Sequence, residues 1–432
     1  MSCPTLEIRP LRSAITPEGG VVELLLRAVA PKRPEGQHTP SRPALDLALV
    51  IDRSGSMDGE PLREAKRCVR HILERLDSND QASLVVYDNR VQTLVPLRPV
   101  QPVQAFDSAL NGLESGGSTD LFGGWNGGRD SLGPETRAEA LKRILLLSDG
   151  CANQGIVDPD QISKHCETAL ASGIGTTTIG LGRHFNEELM SRMAAAGGGR
   201  SYYGERAEDL LDAFTEEFAL LSNLHSRRLA IKLTTETGVR IVSVAGRPAP
   251  RNGRIPLPDV AWGAVSWVQV TLNTNRSDAI ERLLATAVLE GESEGGAWTS
   301  EPVSLVLPVV DSTAWATLPE DPEVADRLID TRVGALLESA RAALQRGDVD
   351  DCRKLLGVAR GLASKSPWLL ASIDALERLL EEDREIFVKE ALFARGKMAS
   401  RLVARDDSLD DPNAPQTAYL ATKNIQGRRR DA

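Results

Sequence analysis

With 432 residues the chain exceeds one typical domain, and a content of 41% hydrophobic and 26% charged residues is that of an ordinary globular protein. A formal net charge of -10 disfavours nucleic acid as a partner. The five cysteines (Cys3, Cys68, Cys151, Cys166 and Cys352) form no C-x-x-C pair, which argues against a disulfide framework or zinc ribbon and fits a reducing compartment.

The first residues, Met1 to Glu7, lack the charged-then-apolar pattern of a signal peptide. No apolar stretch approaches the roughly 20 residues of a membrane-spanning helix, so a cytoplasmic location without a membrane span is expected. Residues 5–30 predict two strands, with Leu6 and Ile8 alternating in the first and Val22, Leu24, Leu26 and Ala28 in the second. A Pro-rich linker follows over 31–43.

From Leu45 the pattern changes. Leu45 to Ile51 is almost continuously apolar, as in a strand covered on both faces. Leu62, Ala65, Val69, Ile72, Leu73 and Leu76 then repeat with a helical period. Further strands are expected at Gln81 to Tyr87, Arg143 to Ser148 and Gly175 to Leu181, and a last helix at Ala207 to Leu224. Such alternation predicts an α/β doubly wound domain, Rossmann-like, around a parallel sheet.

Residues 226–312 carry short strands separated by Gly, Pro and Asn, the pattern of an antiparallel β-sandwich. The first two strands most economically join it, which makes the α/β domain an insertion. From Pro322 to about Arg405 the sequence is helical in three stripes, the third from Leu369 to Arg405. The expected boundaries are 1–42 for the N-terminal sandwich strands, 43–225 for the α/β domain, 226–312 for the sandwich, 320–405 for an all-α region and 406–432 for a disordered polar tail.

The candidate site begins where the run Leu45–Ile51 ends. Asp52 follows it, then hydroxyls at Ser54 and Ser56. Hard divalent cations take oxygen ligands in octahedral geometry, and this set offers them. Taken alone, such residues after a strand are as readily turn formers or helix caps. Two further segments alter that balance. Asp52-Arg53-Ser54-Gly55-Ser56, Gly117-Ser118-Thr119-Asp120 and Leu147-Ser148-Asp149-Gly150 together closely resemble the metal-ion-dependent adhesion site of von Willebrand factor A domains. The resemblance covers roughly residues 43–225. The order of the surrounding regions resembles bacterial cytosolic members that carry a flanking β-sandwich and a helical region.

The resemblance implies that Ser54, Ser56 and Thr119 bind Mg²⁺ directly, with Mn²⁺ or Ca²⁺ as alternatives. It implies that Asp52 and Asp149 act mainly through bound water and by fixing the hydroxyls. Asp120 is at most auxiliary. Neutral direct ligands leave the ion with much of its charge, so it recruits a Glu or Asp carboxylate from a partner protein.

Other chemistry is poorly supported. Ser54 and Ser56 lie in no Gly-x-Ser-x-Gly elbow and have no histidine placed to pair with them. The glycine-rich stretch from Gly116 to Gly128 lacks the Gly-Lys-Ser/Thr ending of a phosphate loop and reads as a flexible loop delivering Thr119. His71, His165, His184 and His225 show no ligand spacing and read as exposed or capping residues. Cys151 reads as a loop cysteine, and Trp262, Trp267, Trp298 and Trp315 as sandwich core or edge. In the tail, Thr417 and Thr422 each precede an aliphatic residue by three positions, the pattern that forkhead-associated (FHA) domains read after a kinase has acted.

The expected function is a non-enzymatic protein–protein interaction module, a scaffold or adaptor in a bacterial intracellular signalling or stress system. The alternative is an adaptor subunit of a MoxR- or chelatase-type AAA+ ATPase complex.

Overall fold

The computed structural model describes residues 3–32, 44–133, 137, 140–149, 152–181, 186–204, 223–245, 247–248, 253–257, 259–293, 296–400 and 404–405. They fall into two compact units, one built from the chain before residue 38 and after 222, the other from the chain between. Strands β1 (Thr5–Pro10) and β2 (Gly20–Val29) open the first unit as an antiparallel pair, with Thr5 opposite Val29.

The second unit runs β3 (Leu45–Asp52), α1 (Glu60–Leu73), β4 (Gln81–Tyr87), β5 (Val91–Pro99), α2 (Gln104–Asn111), α3 (Leu121–Ser131), β6 (Leu141–Ser148), α4 (Pro159–Ala171), β7 (Ile174–Leu181), α5 (Glu187–Ala196) and β8 (Gly198–Gly204). These strands form a six-stranded sheet in the order β5-β4-β3-β6-β7-β8, parallel except for β5. Every residue of β3 is buried, as a central strand covered on both faces requires. Strands β5 and β8 were not expected from the sequence. Most of β5 is at least partly exposed at the sheet edge, and β8 opens on Gly198-Gly199, so neither shows an apolar run.

The expectation of a flexible loop across Gly116–Gly128 is overturned from residue 121 onward, where the chain is helix. Glycine weakens a helix by about 1 kcal/mol per residue relative to alanine. In α3 its missing Cβ lets the helix lie close to the sheet. A Cβ at Gly124 would stand 2.2 Å from Cδ1 of Tyr87, and one at Gly128 would stand 2.5 Å from Cγ2 of Val50. Between them, the buried Trp125 donates its indole N–H to the Thr176 hydroxyl of β7 at 3.0 Å. The expected helix Ala207–Leu224 lies outside the described residues except at its end, where Leu224 opens a strand.

That strand is β9 (Leu224–Thr235), and the first unit resumes with it through β10 (Val239–Val244), β11 (Arg247–Pro248), β12 (Arg254–Pro256), β13 (Val260–Ala261), β14 (Ala264–Thr274), β15 (Glu281–Ser293), β16 (Gly296–Thr299) and β17 (Val303–Pro308). Strand β14 pairs with β2 over Val265 to Thr274 and with β10 on its other side. The chain before residue 38 therefore shares a sheet with the chain after 222, and the α/β unit interrupts this sandwich in sequence. Strands β9, β15, β16 and β17 belong to a second antiparallel sheet. Leu24, Leu26, Val268 and Val270 of one sheet share a core with Leu229, Ile231, Ala287 and Leu289 of the other.

Helices α6 (Ser312–Thr317), α7 (Pro322–Gln345), α8 (Val349–Leu362), α9 (Pro367–Glu382) and α10 (Arg384–Ser400) follow. The third expected helix is in fact two. Asp383 is extended, and its carboxylate accepts the N–H groups of Glu385 and Ile386, both at 3.1 Å, which caps α10. A short strand, β18 (Ala404–Arg405), then pairs with β14 instead of prolonging the helix. The tail from residue 406, including Thr417 and Thr422, lies outside the described residues.

Helix α7 sits on the outer face of the β2–β14 sheet over a small apolar cluster of Leu25, Trp267 and Val324. Charged contacts dominate around it. Arg9 pairs with Asp321 and with Glu323, and Arg27 with Glu7 at 2.9 Å. The buried Arg327 guanidinium lies 4.8 Å over the Trp267 ring and 3.3 Å from the buried Asp330 carboxylate. Removing the guanidinium takes away both the ring contact and one partner of the buried Asp330 carboxylate. Arg327→Ala is therefore expected to destabilise this unit by about 3 kcal/mol, read as lost amide protection in α7 and β14 by hydrogen exchange.

Candidate functional site

Parallel register builds the site. Asp52 of β3 stands opposite Tyr87 of β4, and Ile51 opposite Leu147 of β6, so Ser148 comes level with Asp52. Three strand ends thus line up at the carboxyl edge of the sheet, where open α/β folds place their ligands. Asp52 is fully buried there. One of its oxygens accepts the Ser54 N–H at 2.8 Å. The other accepts the Ser148 hydroxyl at 2.6 Å and the Tyr87 hydroxyl at 3.2 Å.

The loops beyond the strands are joined pairwise. The Gly116 N–H donates to the Arg53 carbonyl at 2.8 Å, and the Gly55 N–H to the Gly117 carbonyl at 3.1 Å. This ties the segment after β3 to the segment before α3. Asn153 ties that second segment to the loop after β6. Its side-chain oxygen accepts the Thr119 N–H at 2.8 Å, and its own N–H donates to the Thr119 carbonyl at 3.1 Å. Ser56 closes the ring by donating its hydroxyl to an Asp149 carboxylate oxygen at 3.0 Å. Ser54 and Ser56 place their hydroxyl oxygens 3.2 Å apart. Arg53 does not join this set: its guanidinium pairs with Asp88 at 3.1 Å.

Asp120 is turned to structural use. Its carboxylate caps α3 by accepting the Gly123 N–H at 2.8 Å, and its N–H donates to the Asp88 carbonyl at 2.9 Å. Thr119, buried, immediately precedes this cap. The start of α3 thereby sets the position of Thr119.

The electrostatics follow from burial. Desolvation holds the Asp52 carboxyl above its usual value, against the opposing pull of bonds from Ser148, Ser54 and Tyr87. Burial, and then the facing Asp52 charge, hold the Tyr87 phenol well above its usual value, so it remains a donor at neutral pH.

The oxygen spacing fits a small octahedral cation. Adjacent ligands on Mg²⁺, with bonds of about 2.1 Å, stand roughly 3.0 Å apart. The Ser54–Ser56 separation of 3.2 Å lies close to that edge, and the 3.0 Å hydrogen bond to Asp149 holds the Ser56 hydroxyl in place. The donor set is hydroxyl and carboxylate throughout, as hard cations prefer.

Tyr87 and Asn153 were not singled out in the sequence, and Ser148 appeared there only within the Arg143–Ser148 strand and the Leu147–Gly150 segment. Tyr87 left a trace there, as a polar-tipped aromatic ending an apolar strand. The histidine expectation needs one correction. His225 is buried, its ring set edge-on to Trp262 at 4.4 Å and its Nδ1 2.7 Å from the Ser226 hydroxyl. His184 and Cys151 lie outside the described residues.

Fold and geometry together define an open α/β domain with an oxygen-rich cluster at the carboxyl ends of its strands. Residues 46–217 match the von Willebrand factor type A domain. An uncharacterised protein of Synechocystis sp., sll0103, is 28% identical over 210 residues, 48% of this chain and 49% of that protein. A solved von Willebrand factor type A protein from Catenulispora acidiphila superposes with a TM-score of 0.70 at 17% identity, covering 87% of this chain and 90% of that one. The ArnB paralog VWA2 from Sulfolobus acidocaldarius does so with a TM-score of 0.63 at 16% identity, covering 92% and 99%. At such identities the two structures establish the fold.

The chain thus carries a von Willebrand factor type A domain, a class of protein-interaction module, with added antiparallel sheets and a C-terminal helical region. It spans about half the length of the Synechocystis relative. Among the described residues no helix is long and apolar enough to cross a membrane.

Proposed function

We propose that the chain is a non-enzymatic interaction module that binds a partner carboxylate through a divalent metal held by Asp52, Ser54, Ser56, Thr119 and Asp149. Mg²⁺ is the favoured ion, with Mn²⁺ and Ca²⁺ as alternatives. The observation that carries this reading is the Ser54–Ser56 hydroxyl pair at octahedral-edge spacing, with Ser56 fixed by Asp149, beside a buried Asp52. Ser54, Ser56 and Thr119 would supply neutral oxygens, and Asp52 and Asp149 the compensating charge. An ion so held keeps a strong pull on an anionic side chain from outside.

The environment of Asp52 also supports binding rather than acid–base chemistry. Its carboxylate is fully buried and already accepts from one N–H and two hydroxyls, so its oxygens are committed to holding the surrounding loops. Cys166 and Cys352 are buried thiols, in keeping with a reducing, cytoplasmic setting. Thr417 and Thr422 are sequence-level candidates for a second, phosphorylation-dependent contact with an FHA protein.

The test is affinity capture from native lysate with the full chain, in Mg²⁺ and in chelator, beside an Asp52→Ala/Ser54→Ala variant. A partner retained in Mg²⁺, and lost both in chelator and with the variant, is the expected result. Identical capture under all conditions would sink the reading. An AAA+ ATPase among the metal-dependent partners would select the adaptor-subunit role.

A further inference from the structure

We infer that Tyr87 is a positioning residue of the metal site, tying the Asp52 carboxylate to the helix that begins beside Thr119. The inference rests on the metal reading above and adds a residue to it. Two observations meet at this side chain. Its hydroxyl donates to the Asp52 oxygen that also accepts from Ser148, so that oxygen is fixed from both neighbouring strands. Its ring is the surface on which α3 rests, since a Cβ at Gly124 would lie 2.2 Å from Cδ1 and 2.4 Å from Cγ.

Such proximity leaves no room for adjustment. Tyr87 is fully buried, and Val85 and Val91 crowd the neighbouring Gly127, where a Cβ would meet them at 3.3 and 2.6 Å. Helix α3 carries Asp120 at its cap, and Thr119 precedes it. A shift of α3 relative to Tyr87 therefore moves Thr119 relative to Asp52. These two residues come from segments far apart in sequence, and the ring with its hydroxyl links them through a single rigid group. A tyrosine serving only as core would gain nothing from its hydroxyl, because phenylalanine fills the same volume.

Partners that orient metal ligands are worth about 10–100-fold in metal affinity. The test is calorimetric titration of the full chain with Mn²⁺ alone, comparing wild type, Tyr87→Phe and Gly124→Ala, with metal-free melting recorded for each. For Tyr87→Phe the expected result is a Kd raised by about tenfold, beside a lowered metal-free melting temperature because the buried Asp52 carboxylate loses a donor. Gly124→Ala, which must move the ring or the helix, is expected to weaken Mn²⁺ binding further; should it fail to fold, Tyr87→Phe decides alone. A purely structural role would lower melting and leave affinity untouched. Tyr87→Phe binding Mn²⁺ as tightly as wild type would overturn the role of Tyr87 while leaving the metal site standing. Absence of Mn²⁺ binding in the wild type would overturn both.

Discussion

Asp52→Asn is expected to abolish divalent-metal binding while leaving the metal-free protein at least as stable as wild type, within about 1 kcal/mol. Two opposing effects of one burial give this result. Without an ion, an ionised Asp52 is a charge held in the protein interior, and burial raises its pKa. A carboxyl raised in the folded state contributes stability only while protonated, and that contribution is lost as pH rises through its folded value. At neutral pH the charge is a liability that a metal ion offsets. Asparagine removes the charge and keeps the shape. Its amide oxygen still accepts the Ser54 N–H, and its NH₂ can donate to Ser148 and Tyr87 once their hydroxyls rotate. Asp52→Ala differs, because it leaves these buried donors without their acceptor and should cost about 1–3 kcal/mol. Thermal melting with and without Mg²⁺ separates the cases. Asparagine should abolish the Mg²⁺ response without lowering the metal-free transition, whereas a metal-dependent shift in Asp52→Asn equal to that of wild type would exclude Asp52 from the site.

The second large effect concerns glycine, with opposite signs in two helices. Gly128→Val in α3 is expected to destabilise the α/β unit by about 3 kcal/mol, because overfilling a packed core forces backbone and side chains apart. A Cβ there would meet Cγ2 of Val50 at 2.5 Å and Cγ2 of Ile144 at 3.4 Å, and both side chains are fully buried. Gly357→Ala in α8 is expected to stabilise its helix by about 0.5–1 kcal/mol, since alanine is the better helix former. Nothing lies within 4 Å of a Cβ at that position. Hydrogen exchange reads each effect locally: protection should fall across α3, β3 and β6 in the first variant and rise in α8 in the second. Equal tolerance at both positions would show that α3 does not rest on its glycines.

This contrast explains much of what the sequence conceals. Strands β3, β4, β6 and β7 are legible because burial on both faces writes a continuous apolar run. The edge strand β5 lacks that imprint, as most of its residues face solvent at least in part. Helix α3 is hidden because its glycines serve close contact with the sheet, a tertiary demand that local propensity opposes. The break at Asp383 is hidden for a related reason. Helix formers continue on both sides of it, and only the capping geometry divides α9 from α10.

The candidate site shows the same division. Asp52 directly ends an apolar run, Asp149 follows one after Ser148, and hydroxyls follow Asp52 at fixed spacing, so they stand out in one dimension. Tyr87 belongs with them only through strand register, which sets it level with Asp52. Asn153 belongs only through a loop-to-loop contact with Thr119. Neither relation is written in local sequence.

Calorimetric titration of the 432-residue chain with MgCl₂, alongside Ser54→Ala and Thr119→Ala, tests the central claim most directly. A single saturable site in the wild type, weakened at least tenfold in either variant, is the predicted result, since even groups that only orient a ligand are worth about 10–100-fold. Saturation should also stabilise the fold, by about 2.7 kcal/mol at a hundredfold excess over Kd. A wild type that releases no binding heat with Mg²⁺, Mn²⁺ or Ca²⁺ and melts unchanged in their presence would contradict the account.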